Sequence, residues 1–440
     1  MDLMAPDSYA SALDSLEQRG FGIRADLGRI RALMSLLNDP QLTYPTIHLA
    51  GTNGKSSTSR MIASILAGHG LTTGLYVSPH LQSVRERFSR FGMSSGELSE
   101  EIIDEEWFGK IFDYLKPFAE MVESERREDI TYFEMTTAVA YEWMADAAVD
   151  VGVFEAGMGG RWDATNLVMP RVSVLTEIAV DHRKFLGETP LDNAREKVGI
   201  IKEGSVVVSA SQLPEVAELI ESVSDELLVF GEEFLLTSDE LAVGGRRLTV
   251  KGARATYEEL FLPLFGVHQA RNFAVAVAAC ESFLGRALDH DTLRGTAESI
   301  TSPGRMEVVG HEPLVVLDGA HNPAGATALE QAVRDSFSGK HRTLVITVLQ
   351  DKDADEMIPS FESIADRIIF TKTKHGPRPA ANPEDLRDLV KGETPTEVID
   401  DMKEAVKAAI EGVPDGGMVI VTGSLYGVGE AREALVGKVA

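Results

Sequence analysis

The chain has 440 residues, 44% hydrophobic and 25% charged, the balance of a soluble globular protein too long for one ordinary core. Its 42 lysines and arginines stand against 69 aspartates and glutamates, and the net charge of −27 argues against nucleic acid or anionic lipid as a general partner. A lone cysteine, Cys280, excludes an internal disulfide and a thiolate metal cluster.

Two helices are expected first, in "DSYASALDSLEQ" and "DLGRIRALMSLL", separated by a glycine-containing turn. From Tyr44 onward, short β-rich runs alternate with helical stretches, the rhythm of a parallel sheet wrapped by helices. The expected strands are 46–50, 74–78, 151–157, 172–178 and 205–210. Helical spacing appears in "SSTSRMIASILAGHG", closed by Gly70, and again in "YFEMTTAVAYEWMAD" and "LDNAREKVGIIKEG". Residues 226–262 change character and suggest an antiparallel hairpin region, followed by the helix "ARNFAVAVAACESFL", in which Cys280 reads as core filler. After "SPGR" the strand–loop–helix rhythm resumes through "PLVVLDGAHNPAGATALEQAV", "RTLVITVLQDKDADEM", "RIIFTKT" and "MVIVTGSLYGVGEA". The expected class is therefore α/β. A P-loop-type, mainly parallel sheet domain with N-terminal helices spans 1–301, a linker spans 302–305, and a smaller Rossmann-like α/β domain spans 306–440. No apolar run approaches the roughly 18 residues that span a bilayer. The first residues, "MDLMAPDSYA", lack the basic-then-apolar layout of a signal peptide, so the expected compartment is the cytosol.

Ligands of open α/β sheets gather at the carboxyl ends of the strands, and here those ends carry unusual polar clusters. The first ends in "GTNGKSS". A standard P-loop would have glycine five residues before Gly54, where this chain has Leu49; its glycine comes later, at Gly51. Glycines at 51 and 54 let backbone N–H groups close on phosphate, and the following helix points its positive end at the same place. Lys55 would reach the terminal phosphates, and the hydroxyl of Ser56 or Ser57 would hold Mg²⁺. The second strand ends in "SPHL", where Ser78 is a possible oxygen ligand. The third ends in "FEAGMGGRWDATN", which places Glu155 within reach of a metal carried by a nucleotide. The fourth ends in "DH", with His182 as a candidate metal or phosphate ligand. Each of the last three is unremarkable alone; together, at adjoining strand ends, they describe one site.

In order along the chain, "GTNGKSS", "YVSPHL", "YFEMTTAVA", "EAGMGGRWDATN", "DHRKFLG", "AREKVGIIKEG", "HQARN", "SPGRMEV", "LDGAHNPAGA" and "TGSLYGVGE" resemble the Mur ligase superfamily. Within it they resemble the folylpolyglutamate synthase / dihydrofolate synthase family. That resemblance implies an ATP-dependent amide ligase: a substrate carboxylate takes the γ-phosphoryl group of ATP, and L-glutamate displaces phosphate from the resulting acyl phosphate. It implies that Gly51, Thr52, Asn53, Gly54, Lys55, Ser56 and Ser57 hold ATP together with Asn272, Arg305, Asp318 and His321. It makes Ser78, Glu155 and His182 metal ligands, and Lys197 a carbamate that serves a second Mg²⁺, with Lys55, Lys197 and His182 the catalytic set. The pterin-bearing substrate would meet Leu27, Gly28, Tyr132, Phe133, Trp162, Asp163 and Ala164. A monomer working on dihydropteroate, folate or both is the implied unit.

Three departures stand out. "GKSS" replaces the family's "GKGS", "LQDKD" has Gln350 where glycine is frequent, and "DHRKFLG" carries two extra cations. A cell-wall Mur ligase would need a uridine-nucleotide domain ahead of the loop, and the residues before Thr46 are too few for one. A nucleotide switch would need a water-orienting residue and a mobile switch segment, and neither signature is present.

Overall fold

The structure, a computed structural model, describes residues 8–20, 25–376 and 378–438. The main sheet has eight strands: β1 (Thr46–Ala50), β2 (Thr73–Tyr76), β3 (Phe88–Ser94), β4 (Glu97–Ile102), β5 (Val151–Glu155), β6 (Pro170–Leu175), β7 (Val206–Ser209) and β8 (Glu226–Val229). Their order is β4-β3-β2-β5-β1-β6-β7-β8, parallel from β2 to β8, with β3 and β4 antiparallel at one edge. All five residues of β1 are buried, as a central strand covered on both faces requires. The chain runs out on one side of β1 to β2 and returns to β5, then crosses to β6 on the other side. A crevice therefore opens at the carboxyl ends of β1, β5 and β6.

On one face, helix Lys55–Gly68 buries Met61, Ile62, Ile65 and Leu66 in a cluster with Phe273 and Val277 of helix Val267–Leu284. Each such aliphatic side chain contributes about 1.5–3 kcal/mol by leaving water. Cys280 is buried there, against the Ile62 carbonyl. The other face is covered by helices Gly28–Leu36, Glu105–Arg126 and Tyr132–Asp146 around Phe112, Tyr141 and Trp143. Helix Ser8–Glu17 leans on these; Asp7 and residues 21–24 of the expected turn lie outside the described residues.

Two expectations change, and one element is new. Only β9 (Leu235–Ala242), β10 (Gly245–Lys251) and β11 (Thr256–Leu262) form the antiparallel region, because Glu226–Val229 pairs in parallel with β7 and extends the main sheet. The helix expected through "IIKEG" stops at Lys197 and tightens into a turn over Val198–Ile200, where Gly199 and β-branched Ile200 and Ile201 weaken helix. The β3–β4 hairpin was not expected. Its turn places Ser95 and Gly96 at φ 54° and 86°, as a two-residue hairpin demands, but the half-exposed, acidic β4 shows no apolar alternation.

The C-terminal sheet contains β12 (Glu307–His311), β13 (Leu314–Leu317), β14 (Arg342–Ile346), β15 (Arg367–Lys372), β16 (Thr396–Asp401) and β17 (Met418–Thr422). Its order is β12-β13-β17-β14-β15-β16, parallel except for β12. Apolar clusters lie on both faces. The carboxyl ends of β13, β14 and β17 turn toward the crevice of the main sheet. Among the described residues, no helix is long and apolar enough to cross a membrane.

Candidate active site between two sheets

The loop after β1 is bound tightly to the segment after β6. Thr52 donates its amide to the Glu177 carbonyl at 2.9 Å, and its hydroxyl donates to Ala179 O at 2.8 Å while accepting from Ala179 N at 3.0 Å. Lys55 Nζ donates to the carbonyls of Gly51 and Thr52 at 3.0 and 3.1 Å, so the loop curls around the amine. Gly54, at φ 84°, is the residue ahead of helix Lys55–Gly68; a Cβ there would stand 2.7 Å from Asn272 Oδ1. This close approach leaves a cradle open at the helix's positive end, which fits a polyphosphate. Gly54→Ala is expected to weaken ATP binding at least about tenfold, since the left-handed backbone alone costs about 1–2 kcal/mol for alanine and the Asn272 clash adds to it. Calorimetric titration with a non-hydrolysable ATP analogue checks this.

The helix phase separates the two serines. Ser56 Oγ donates to Glu155 Oε1 at 3.0 Å, while Ser57 Oγ is buried against Ser302 Oγ at 2.8 Å and Gln269 Nε2 at 3.2 Å. Ser56 is therefore the hydroxyl beside the carboxylate, and Ser57 joins the loop to the linker. Glu155 Oε2 accepts from the Ser78 backbone amide at 3.3 Å. Burial raises the Glu155 carboxyl, and the Lys55 charge opposes that rise. Ser78, Glu155, His182 and Lys197 all line one cavity with the loop. Among the described residues, no cluster of three or more His, Cys, Asp or Glu side chains is arranged to hold a metal. A single carboxylate with neighbouring hydroxyls nevertheless fits Mg²⁺, which takes few protein oxygens and shares the rest of its shell with phosphates and water.

His182 sits in the left-handed region at φ 52°, and burial lowers its pKa to about 3, so the ring is neutral with a nitrogen lone pair to offer. Lys197 ends helix Pro190–Lys197 and is buried. Burial first, then the Lys55 charge, lowers it to about 7. Such an amine is substantially neutral near pH 7, the form that reacts with CO₂, so the position fits a carbamate.

The C-terminal sheet closes the cavity. Half-buried Arg305 lies against Gly319, and buried Asp318 accepts from the amides of Met306 and Ala320, each at 2.9 Å, which sets the turn that carries His321 and Asn322. Asn322 Nδ2 donates to Asn53 Oδ1 at 3.0 Å and to Asp181 Oδ2 at 3.3 Å. Lys352 Nζ reaches Asp181 Oδ1 at 2.7 Å, both side chains buried. Burial alone would raise the Asp181 carboxyl; His182, the Lys352 ammonium and His321 outweigh it and hold it well below the usual carboxylate range. Burial lowers His321 to about 4, with Lys352 adding to the effect.

A second cavity of about 290 Å³ adjoins the first. Leu27, Phe133, Trp162, Asp163 and Ala164 line it, as does Tyr426 from the opposite sheet. Asp163 acts chiefly on its own loop, accepting from Met158 N at 2.9 Å and from Thr165 N at 3.0 Å. Two expected substrate residues do not line this cavity. Gly28 is packed against Arg126, whose Nη2 would stand 2.2 Å from a Cβ. Tyr132 is buried in the core, its ring 5.3 Å beneath the Arg87 guanidinium. Sequence reading missed Arg87, Lys352, Arg378 and Ser424, all of which line it. "DKD" and "GPRPA" carried cations beside turn residues, a usable signal, but nothing in the sequence pairs Lys352 with Asp181. Gln350, the noted departure, is exposed and donates its amide to Pro379 O at 3.1 Å.

Residues 304–425 match the family model for the Mur ligase, glutamate ligase domain. The chain is 37% identical to the dihydrofolate synthase/folylpolyglutamate synthase of Mycobacterium tuberculosis, over 97% of this chain and 94% of that protein. It is similar to a solved M. tuberculosis folylpolyglutamate synthase complexed with ADP, with a TM-score of 0.90 and 35% identity over 98% of each chain. It is also similar to a solved folylpolyglutamate synthase–AMPPCP–folate complex, with a TM-score of 0.84 and 30% identity over 98% of this chain and 100% of that one. With likeness of that degree running through both sheets and the crevice between them, the chain belongs to the dihydrofolate synthase/folylpolyglutamate synthase family of ATP-dependent, amide-forming Mur ligases.

Proposed function

We propose that the chain joins L-glutamate to dihydropteroate and to reduced folate, using ATP and an acyl phosphate. The observation that carries this reading is the junction of the two cavities. Ser78, Pro79, Met158, His182 and His321 line both, so an acceptor lying in the apolar cavity would present its carboxylate to the last phosphate held by the β1 loop. Phe133 and Trp162 give a pterin flat apolar faces. Lys55, beside Glu155 and Ser56, neutralises charge on the transferring phosphoryl group, which is most of what such a reaction asks of a protein. Two Mg²⁺ ions would be held by Ser56, Ser78 and Glu155 and by His182 with carbamylated Lys197; when bound, they supply charge neutralisation of the phosphates. Arg305, Asp318 and Asn272 would hold the nucleotide. Closure of 1–301 on 306–440 about the 302–305 linker would complete the site. The working unit we propose is a monomer, acting in the cytosol.

The test is phosphate release by purified protein. Release should require ATP, glutamate and a pteroate or folate together; steady hydrolysis without an acceptor, or no ligation product, would overturn the reading. Running the same assay in CO₂-depleted buffer examines Lys197: activity should fall and return with bicarbonate, and a rate indifferent to CO₂ would remove the carbamate.

A further inference from the structure

Among the described residues, four lysine and arginine side chains line the acceptor cavity, and three of them have carboxylate partners. Arg29 Nη2 pairs with Glu134 at 3.1 Å and its Nη1 with Glu128 at 3.0 Å, Lys352 pairs with Asp181 at 2.7 Å, and Arg378 pairs with Asp351. Arg87 differs. It is buried, lines the cavity, and makes no ion pair with any carboxylate among the described residues. Its Nε donates to His80 Nδ1 at 3.0 Å, so the ring nitrogen facing it carries no proton and cannot offset its charge. The guanidinium also lies 5.3 Å above the Tyr132 ring. These neighbours fix its plane and leave its charge standing. A buried cation without a counter-charge is costly, and a protein that keeps one at a cavity wall supplies it for an anionic ligand.

The position of Arg87 selects the anion. Its carbonyl accepts from the Val77 amide at 3.1 Å, which holds it on the acceptor wall next to Ser78, where the reacting carboxylate would lie. Dihydropteroate has one carboxylate, and that one reacts. An acceptor that already carries glutamate has a second, the α-carboxylate, a few bonds from the reacting γ-carboxylate and in need of its own partner. We propose that Arg87 is a specificity residue that holds the unreacting α-carboxylate of a glutamylated acceptor. The proposal rests on the ligase reading above. The fork of the guanidinium matches a carboxylate in two parallel hydrogen bonds, a geometry lysine does not reproduce.

The experiment compares tetrahydrofolate with its α-carboxamide analogue as acceptors for the wild-type chain, Arg87→Gln and Arg87→Lys. The wild type should prefer the α-carboxylate in kcat/KM by roughly tenfold or more, the scale of one charge-assisted pair. Arg87→Gln should lose most of that preference, and Arg87→Lys should keep part of it. The wild-type arm stands by itself if a variant does not fold. Equal use of both acceptors by the wild type overturns the proposal. So does an Arg87→Gln variant that keeps the full preference, or one whose only change is a raised KM for free glutamate. Ligation confined to dihydropteroate overturns it while leaving the ligase reading intact; no ligation at all overturns both.

Discussion

Replacing Lys55 with alanine is expected to lower kcat for ligation by about 10²–10³-fold, the usual loss when one preorganised charge donor is removed from a transferring group. The amine is held by two loop carbonyls at 3.0 and 3.1 Å, at the positive end of helix Lys55–Gly68 and beside Glu155. Its placement therefore costs nothing when the phosphoryl group moves. The bonds it makes are local to its own loop, so the variant should fold, and circular dichroism would confirm that. The rate of ADP formation at saturating ATP, glutamate and acceptor is the measurement. A loss below about fivefold would remove Lys55 from the reaction, since that is only about 1 kcal/mol.

Lys352→Met is expected to reduce kcat/KM for the acceptor by a hundredfold or more while each sheet stays folded. The Lys352–Asp181 pair is buried and joins the two halves, 171 residues apart in sequence. Removing one partner of a buried pair typically costs about 3–5 kcal/mol because the other charge remains uncompensated. Here that cost falls on the closed arrangement, and Asp181 also holds Asn322, which bonds the β1 loop through Asn53. The pH dependence has a definite sign. The Asp181 carboxyl is held below its unfolded value of about 3.9, so the pair contributes in full above that pH and is lost only as pH falls through the lower folded value. The ratio of variant to wild-type activity should therefore be flat between pH 6 and 8. A ratio that changed steeply there, or a variant with near-normal kcat/KM, would place domain closure elsewhere.

Several elements were legible because burial on both faces leaves a strong mark. β1, β5 and β6 carry the buried pairs Ile47 and Leu49, Val151 and Val153, and Val172 and Val174, and the strands appear where those pairs do. The helix Tyr132–Asp146 matches its expected bounds, its start set by the capping box of Thr131 and Glu134. Edge strands left little trace. β4 and β16 are half-exposed and carry glutamates and aspartates, so their pairing depends on neighbours distant in sequence.

The site divides the same way. The sequence by itself determined which chemical groups stand at or follow the strand ends: a glycine loop with Lys55, the carboxylate of Glu155 and the imidazole of His182. Those are local matters, decided by where a strand stops and a loop begins. Tertiary structure alone decided what each group faces. One helical step of roughly 100° turns Ser56 to Glu155 and Ser57 to the linker. Packing of the core put Tyr132 beneath Arg87 and off the cavity wall, and closure of one sheet on the other joined Lys352 to Asp181. Charge pairing and burial are properties of distances between segments, and a linear order of residues does not contain those distances.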